Sequence, residues 1–245
     1  MRLRNLALLI ILVVISVLPS RAAIQCGTGS NNVVLVSSRA TIPDSDWTFA
    51  CRMKHNTGAM PSADFNIMTF WNEGGDGWGQ LIVRGTSSGF AGVLVFDAND
   101  DDQQAGSQTT FGTSGSTFNG NTNWRIIAMQ RSGNTLAVIR DGANIGSSTN
   151  ANFNSIGGPL HFGLANWEGE SAGAAVTFAG CALYHRTLSS TEWSQLAAGI
   201  DFSCLPGAKE LYAHLIAGPQ DLAANSTTTN TCSVVEHPRT IFCGE

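Results

Sequence analysis

The chain has 245 residues, 13 basic against 18 acidic, and a net charge of −5, with only 13% of its residues charged. Its two lysines and acidic balance exclude the basic stripe that a nucleic-acid-binding protein needs to meet phosphates. About 25% charged residues is usual for a globular domain, so this surface is unusually neutral.

The first element is an export signal. Arg2 and Arg4 precede the run Leu6 to Leu18, and Ser20-Arg21-Ala22 suits cleavage before Ala23. Thirteen residues are too few for a bilayer-spanning helix, which takes about 20. Removing residues 1–22 takes away Arg2, Arg4 and Arg21 and leaves 10 basic against 18 acidic residues, a charge of −8. Gln25 stands where a bacterial lipoprotein signal wants a small residue before its cysteine, so Cys26 is not read as a lipid anchor. No later segment approaches spanning length. The expectation is a secreted, extracellular product over 23–245, one large β domain with no membrane span after cleavage.

Strand signals follow in order. Val33–Val36, Trp47–Lys54, Ile67–Trp71, Gln80–Arg84 and Val93–Asp97 are short runs rich in β-branched and aromatic residues, each bounded by Gly, Ser, Asn or Asp. Arg131-Ser132-Gly133-Asn134 predicts one tight hairpin and Asp141-Gly142 a second, since glycine accepts the positive φ of primed turns. Ser189 and Glu192 form a capping box that opens a short helix near 190–198. Trp193, Leu196 and Ala197 give it an apolar stripe, Gly199 stops it, and the expected place for it is the sandwich edge. Lys209–Ile216 reads as a returning strand and residues 225–231 as a polar loop, opened by the glycosylation sequon at Asn225. Short strands punctuated at intervals of roughly 10 residues predict an all-β sandwich of two antiparallel sheets.

The order of the later segments is the most specific feature. Asn123-Trp124-Arg125-Ile126-Ile127-Ala128 leads to Gly133-Asn134-Thr135-Leu136, then Pro159-Leu160-His161-Phe162-Gly163, then Phe178-Ala179-Gly180-Cys181-Ala182-Leu183-Tyr184-His185-Arg186 and the helix. With the late Asp221-Leu222-Ala223-Ala224-Asn225 and His237-Pro238, this arrangement resembles the laminin-G-like jelly rolls of the concanavalin A-like lectin and glucanase superfamily, over roughly 30–238. The resemblance implies a jelly-roll sandwich, a fold that carries lectins, hydrolases, lyases and adhesive modules alike.

The resemblance also bears on the six cysteines, an even number in an exported chain with no C-x-x-C spacing. Fifteen pairings are open. The fold brings its first and last sheet strands together, which implies Cys51 with Cys181. Cys232 with Cys243 would close a tail loop, and Cys26 with Cys204 is what remains.

Catalysis finds little support. Glycosidases need two carboxylates about 5–9.5 Å apart. The fold's glucanases carry them as E-x-D-x-x-E, which is absent here. Trp167-Glu168-Gly169-Glu170 and the pair Glu73 and Asp76 are the nearest acid groups, both in loop contexts. The fold's lyases use an Arg, Gln, His and Tyr cluster. Gln80, Arg84 and His161 are its nearest counterparts, and their surroundings do not match. His161 and His185 are read as ordinary sheet residues.

Recognition is better served. Trp faces stack on sugar rings while Asn, Asp and Glu bond their hydroxyls. Trp47 and Trp124 open strands and are read as core, and Trp193 belongs to the helix. Trp71, Asn72, Glu73, Asp76 and Trp78 form one candidate ligand-binding group, and Asn166, Trp167 and Glu168 another. Asp97-Ala98-Asn99-Asp100-Asp101-Asp102 supplies oxygen ligands at a strand end, so Asp97, Asn99, Asp100 and Asp102 make calcium the one candidate cofactor. The expectation is a non-catalytic recognition or cell-adhesion module for carbohydrate or a glycosylated surface. The alternatives are a self-associating coat or filament subunit, a homo-oligomer, and a glycan-cleaving enzyme.

Overall fold

In a computed structural model, residues 22–25, 33–37, 46–62, 64–72, 78–99, 109–149, 160–164, 176–207, 209–214, 226–230 and 233–236 are described. They form the strands β1 (Ala22–Gln25), β2 (Val33–Ser37), β3 (Trp47–His55), β4 (Phe65–Asn72), β5 (Trp78–Val83), β6 (Leu94–Asn99) and β7 (Thr109–Gly112). Next come β8 (Arg125–Ser132), β9 (Thr135–Arg140), β10 (Ala143–Thr149), β11 (Leu160–Leu164) and β12 (Val176–Tyr184). The helix α1 (Ser190–Ala197) precedes β13 (Lys209–His214), β14 (Ser226–Asn230) and β15 (Ser233–Glu236).

The strands build two antiparallel sheets. One runs β10-β9-β8-β3-β12-β1-β15, with β13 also beside β12; the other runs β14-β2-β11-β4-β5-β6-β7. Alternation along each strand explains what lies between the sheets. Phe49, Cys51 and Met53 from β3, Ile127 and Met129 from β8, Leu81 and Val83 from β5 and Leu94 and Phe96 from β6 form one buried cluster. A register shift between Asn66 and Met68 lets the adjacent Ile67 and Met68 both join it. This is the double-layered sandwich that the strand pattern predicts, in the jelly-roll form that the resemblance implies.

The hairpins behave as their turn residues require. Gly133 links β8 to β9 with a φ of 57°, and Asp141 and Gly142 link β9 to β10 with φ of 51° and 86°. Cys51 and Cys181 face each other in the β3–β12 register and are joined by a disulfide inside the core. Cys204 is also disulfide-bonded. Cys26, Cys232 and Cys243 lie outside the described residues, as does the export segment except for Ala22, which opens β1 beside Glu236.

Several expectations are corrected. The helix does not plug an edge. It lies on the outer face of the eight-stranded sheet, where Trp193 and Leu196 pack with Ala50, Ala128, Ala137, Ala182, Ile139 and Tyr184 in a second core. Alanines on alternate positions of four neighbouring strands leave a shallow bed into which a helix fits. Ala197, expected in the apolar stripe, is exposed, while Glu192 is buried. Residues 226–230 are not a loop but the edge strand β14, paired with β2 from Ser226–Ser37 to Asn230–Val33. Three successive β-branched threonines suit a strand without the apolar alternation that marks buried ones. His185 lies one residue beyond β12 and is exposed.

Candidate ligand-binding face

The seven-stranded sheet has two faces, and its register assigns each residue to one. Met68, Leu81 and Phe96 are cross-strand partners and belong to the core. Apart from Ile67 at the register shift, their neighbours in sequence therefore occupy the opposite face. One row there comprises His161, Trp71, Trp78 and Asn99, each the register partner of the next across β11, β4, β5 and β6. At about 4.8 Å between strands the row is roughly 14 Å long. Gly163, Thr69, Gln80, Asp97 and Thr110 form the next row on the same face. Thr69 is fully buried and Gln80 only 9% exposed. The Trp71–Trp78 row, at the strand ends, is therefore the one nearer the rim.

The fold thus unites candidates that stand 28 residues apart in sequence. Trp71 and Trp78 become direct partners, and Asp97 and Asn99, read as metal ligands, share their face. Asn72, the register partner of Leu160, has the opposite parity. Glu73, Asp76, Asp100 and Asp102 lie outside the described residues. Asn166, Trp167 and Glu168 also lie outside them. The strand before that segment exits at the other end, where Leu164 pairs with Met68, and the strand after it begins with Val176 opposite His55. The sequon residue Asn225 is outside the described residues, and its Ser226 and Thr227 open β14.

The remaining tryptophans sort by packing. Trp47 is completely buried, and Trp193 holds the helix to the sheet. Trp124, expected in the core, is half-buried and instead receives the Lys54 ammonium 5.1 Å above its ring. Arg84 lies one residue beyond the end of β5, and its guanidinium is ion-paired with Asp64 at the far rim. The arginine proposed for a lyase-like cluster is committed elsewhere.

Sequence reasoning missed the place of His161. It was visible only as a lone histidine in a strand, because its partner Trp71 is 90 residues away. Phe90 was also overlooked, and it is the one strongly exposed large apolar side chain among the described residues.

No family model matches the chain, and no curated protein matches it in sequence. Solved structures do share its fold. A putative carbohydrate binding protein from Bacteroides ovatus superposes with a TM-score of 0.61 at 13% identity, over 91% of this chain and 62% of that one. The native heptameric SAP-like pentraxin from Limulus polyphemus gives 0.58 at 13% identity, over 89% of this chain and 96% of that one. The binding domain of Paraclostridial Mosquitocidal Protein 1 gives 0.54 at 14% identity, over 71% of this chain and 42% of that one. The chain spans less than two thirds of the length of the first and third of these. At such identities the likeness establishes architecture, and the architecture is that of a jelly-roll sandwich also found in binding proteins.

Proposed function

We propose that this chain is a secreted, non-catalytic module of the laminin-G-like kind that binds carbohydrate, or a glycosylated surface, at the Trp71–Trp78 rim of its seven-stranded sheet. The observation that carries the reading is the register pairing of Trp71 with Trp78 on the face away from the core, flanked by Asn99 and His161. Indole rings suit the apolar C–H faces of sugars, and amide and imidazole groups suit their hydroxyls, so this run of residue types in register fits a sugar. Export is supported by the N-terminal signal and by a buried disulfide, which oxidising compartments maintain. The solved proteins of the same fold include one described as carbohydrate binding, which is consistent with this use of the architecture. Calcium, if it takes part, has Asp97 and Asn99 as ligands from alternate positions of one strand, completed from the acidic run that follows.

A glycan array on the cleaved chain, run with calcium and again with a chelator, tests this reading. Binding that falls at least about tenfold in a Trp71→Ala/Trp78→Ala double variant with an unchanged circular dichroism spectrum is expected. Undiminished binding by that variant removes the rim from consideration. Loss of binding with the chelator assigns calcium to the Asp97 strand end, and indifference to it removes the metal.

A further inference from the structure

The opposite end of the sandwich carries a second feature. Three connections meet there: 56–64 between β3 and β4, 84–93 between β5 and β6, and 113–124 between β7 and β8. They are bound to one another by backbone hydrogen bonds. Thr86 N–H donates to Pro61 O at 2.9 Å, Ser87 N–H to Ser62 O at 3.1 Å, Thr117 N–H to Gly92 O at 2.7 Å and Gly120 N–H to Gly58 O at 2.9 Å. Asp64 receives the Arg84 guanidinium and the Gly85 N–H. At Gly92, with φ at +76°, an added Cβ would lie 2.4 Å from Ser116 Oγ, so the two loops touch at a point only glycine permits.

On this fixed base stands Phe90, 69% exposed, between Gly89 and Ala91. Its own amide donates to Ser88 Oγ at 3.2 Å and its carbonyl accepts from Val93 N–H at 3.0 Å, so the backbone that presents the ring is held in place. On the same connections, Thr86, Ser87, Ser116 and Asn119 are exposed, and Ser116 and Asn119 lie against Gly92, two residues from Phe90. The three connections contain only one acid and one base, Asp64 and Arg84, and these neutralise each other. The nearby Arg140 is turned onto Ser116 O and Thr117 Oγ1, both at 3.3 Å.

This chemistry selects its partner. An anionic membrane would require a basic belt around the ring, and the chain is acidic overall. A protein partner would bury roughly 800 Å² on each side around a cluster of apolar anchors, and Phe90 is the one strongly exposed large apolar side chain among the described residues. A neutral sugar fits, with an apolar ring face for Phe90 and hydroxyls for the exposed Ser, Thr and Asn of the same connections. Building on the carbohydrate reading above, we infer that the Phe90 pole is a second, neutral-glycan site, so that one chain holds two strands of polysaccharide at its two ends. The length of β5 alone, from Trp78 to Val83, separates the poles by about 17 Å, beyond the reach of one sugar ring. Two such sites on one rigid body convert modest affinities into cross-linking.

The test uses affinity electrophoresis and turbidity with soluble β-glucan, xylan, galactan and mannan. Against a polysaccharide that the unaltered chain binds, Phe90→Ala is expected to weaken retention about three- to tenfold and to abolish turbidity, while Phe90→Trp restores both. Trp71→Ala/Trp78→Ala should leave residual retention that adding Phe90→Ala removes. Retention and turbidity unchanged in Phe90→Ala overturn the second site and leave the first standing. Failure of the unaltered chain to bind any of the four, or any glycan on an array, overturns both. Because Phe90 is exposed, its replacement leaves the core intact, which near-ultraviolet circular dichroism checks.

Discussion

At the scale of single residues, two buried titrating groups set how acid acts on this fold. His55 is 1% exposed, its Nδ1 accepts the Gly58 N–H at 2.8 Å, and its ring sits beside Phe65 and Phe118. Its Nε2 has no hydrogen-bond partner among the described residues. Burial lowers its pKa, because charging the ring there would cost solvation and the Gly58 bond. The unfolded chain therefore takes up this proton first. Stability is full above about pH 6.5 and declines as the pH falls below it toward the folded-state value. The non-titrating His55→Gln should flatten urea midpoints between pH 7 and 5, and an unchanged slope there refutes the assignment. Glu192 acts lower. Arg186 grips both its oxygens, at 2.9 and 2.6 Å, and Ser189 adds its amide and hydroxyl, holding the carboxyl at about 2 instead of 4.5. Its contribution is present above pH 4.5 and lost as the pH falls through 2. Glu192→Gln should cost about 2 kcal/mol at pH 7 and remove the acid dependence in that lower window, read from denaturation midpoints at pH 7, 4 and 2.5.

At the scale of elements, α1 and its neighbours show why the same local conformation carries different costs. Its start is fixed by the reciprocal Ser189–Glu192 box, and its end by Arg52, whose Nη2 donates to Leu196 O at 2.7 Å and Ile200 O at 3.0 Å. Arg52 reaches these carbonyls through the sheet face on which the helix rests. Gly142 and Gly133 both have left-handed φ, yet a Cβ on Gly142 would lie 2.8 Å from Trp193 Cβ, while one on Gly133 meets nothing within 4 Å. Gly133→Ala should thus cost about 1 kcal/mol from backbone strain alone. Gly142→Ala should cost about 2–3 kcal/mol, because the helix must also move. Equal losses in thermal or urea unfolding would mean that the helix is not seated against the β9–β10 turn. The run from Ser226 to Asn230 makes the complementary point. Its sequence lacks apolar alternation, so its strand character rests on pairing with β2.

At the scale of the whole molecule, the sandwich is closed by contacts far apart in sequence. The Cys51–Cys181 disulfide spans 130 residues, and a cross-link over a loop of that size restrains the unfolded chain by up to about 5 kcal/mol. A Cys51→Ala/Cys181→Ala variant should lose about 2–5 kcal/mol in urea unfolding while keeping the β spectrum, and a loss under 1 kcal/mol contradicts this account. The two poles of the sandwich then differ in character. One presents the Trp71–Trp78 row at the end of the seven-stranded sheet, the other a hydrogen-bonded platform crowned by Phe90. A rigid β scaffold suits the proposed recognition role, since loops held by strands lose little freedom on binding.

Strand-forming runs, the Gly133 and Asp141-Gly142 reversals and the capped helix follow from residues adjacent along the chain, so composition and spacing alone were enough to name them and the layered β architecture. The superfamily resemblance pointed to the Cys51–Cys181 pairing in the same way. Which tryptophans meet, where the helix lies, and that Phe90 stands alone at one pole depend on strand register. Register is set by packing between segments tens to more than a hundred residues apart, and shifting it by one position would exchange the faces of every side chain. Nothing local to Trp71 reveals that Trp78, Asn99 and His161 stand beside it; only the pairing of β11, β4, β5 and β6 puts them there.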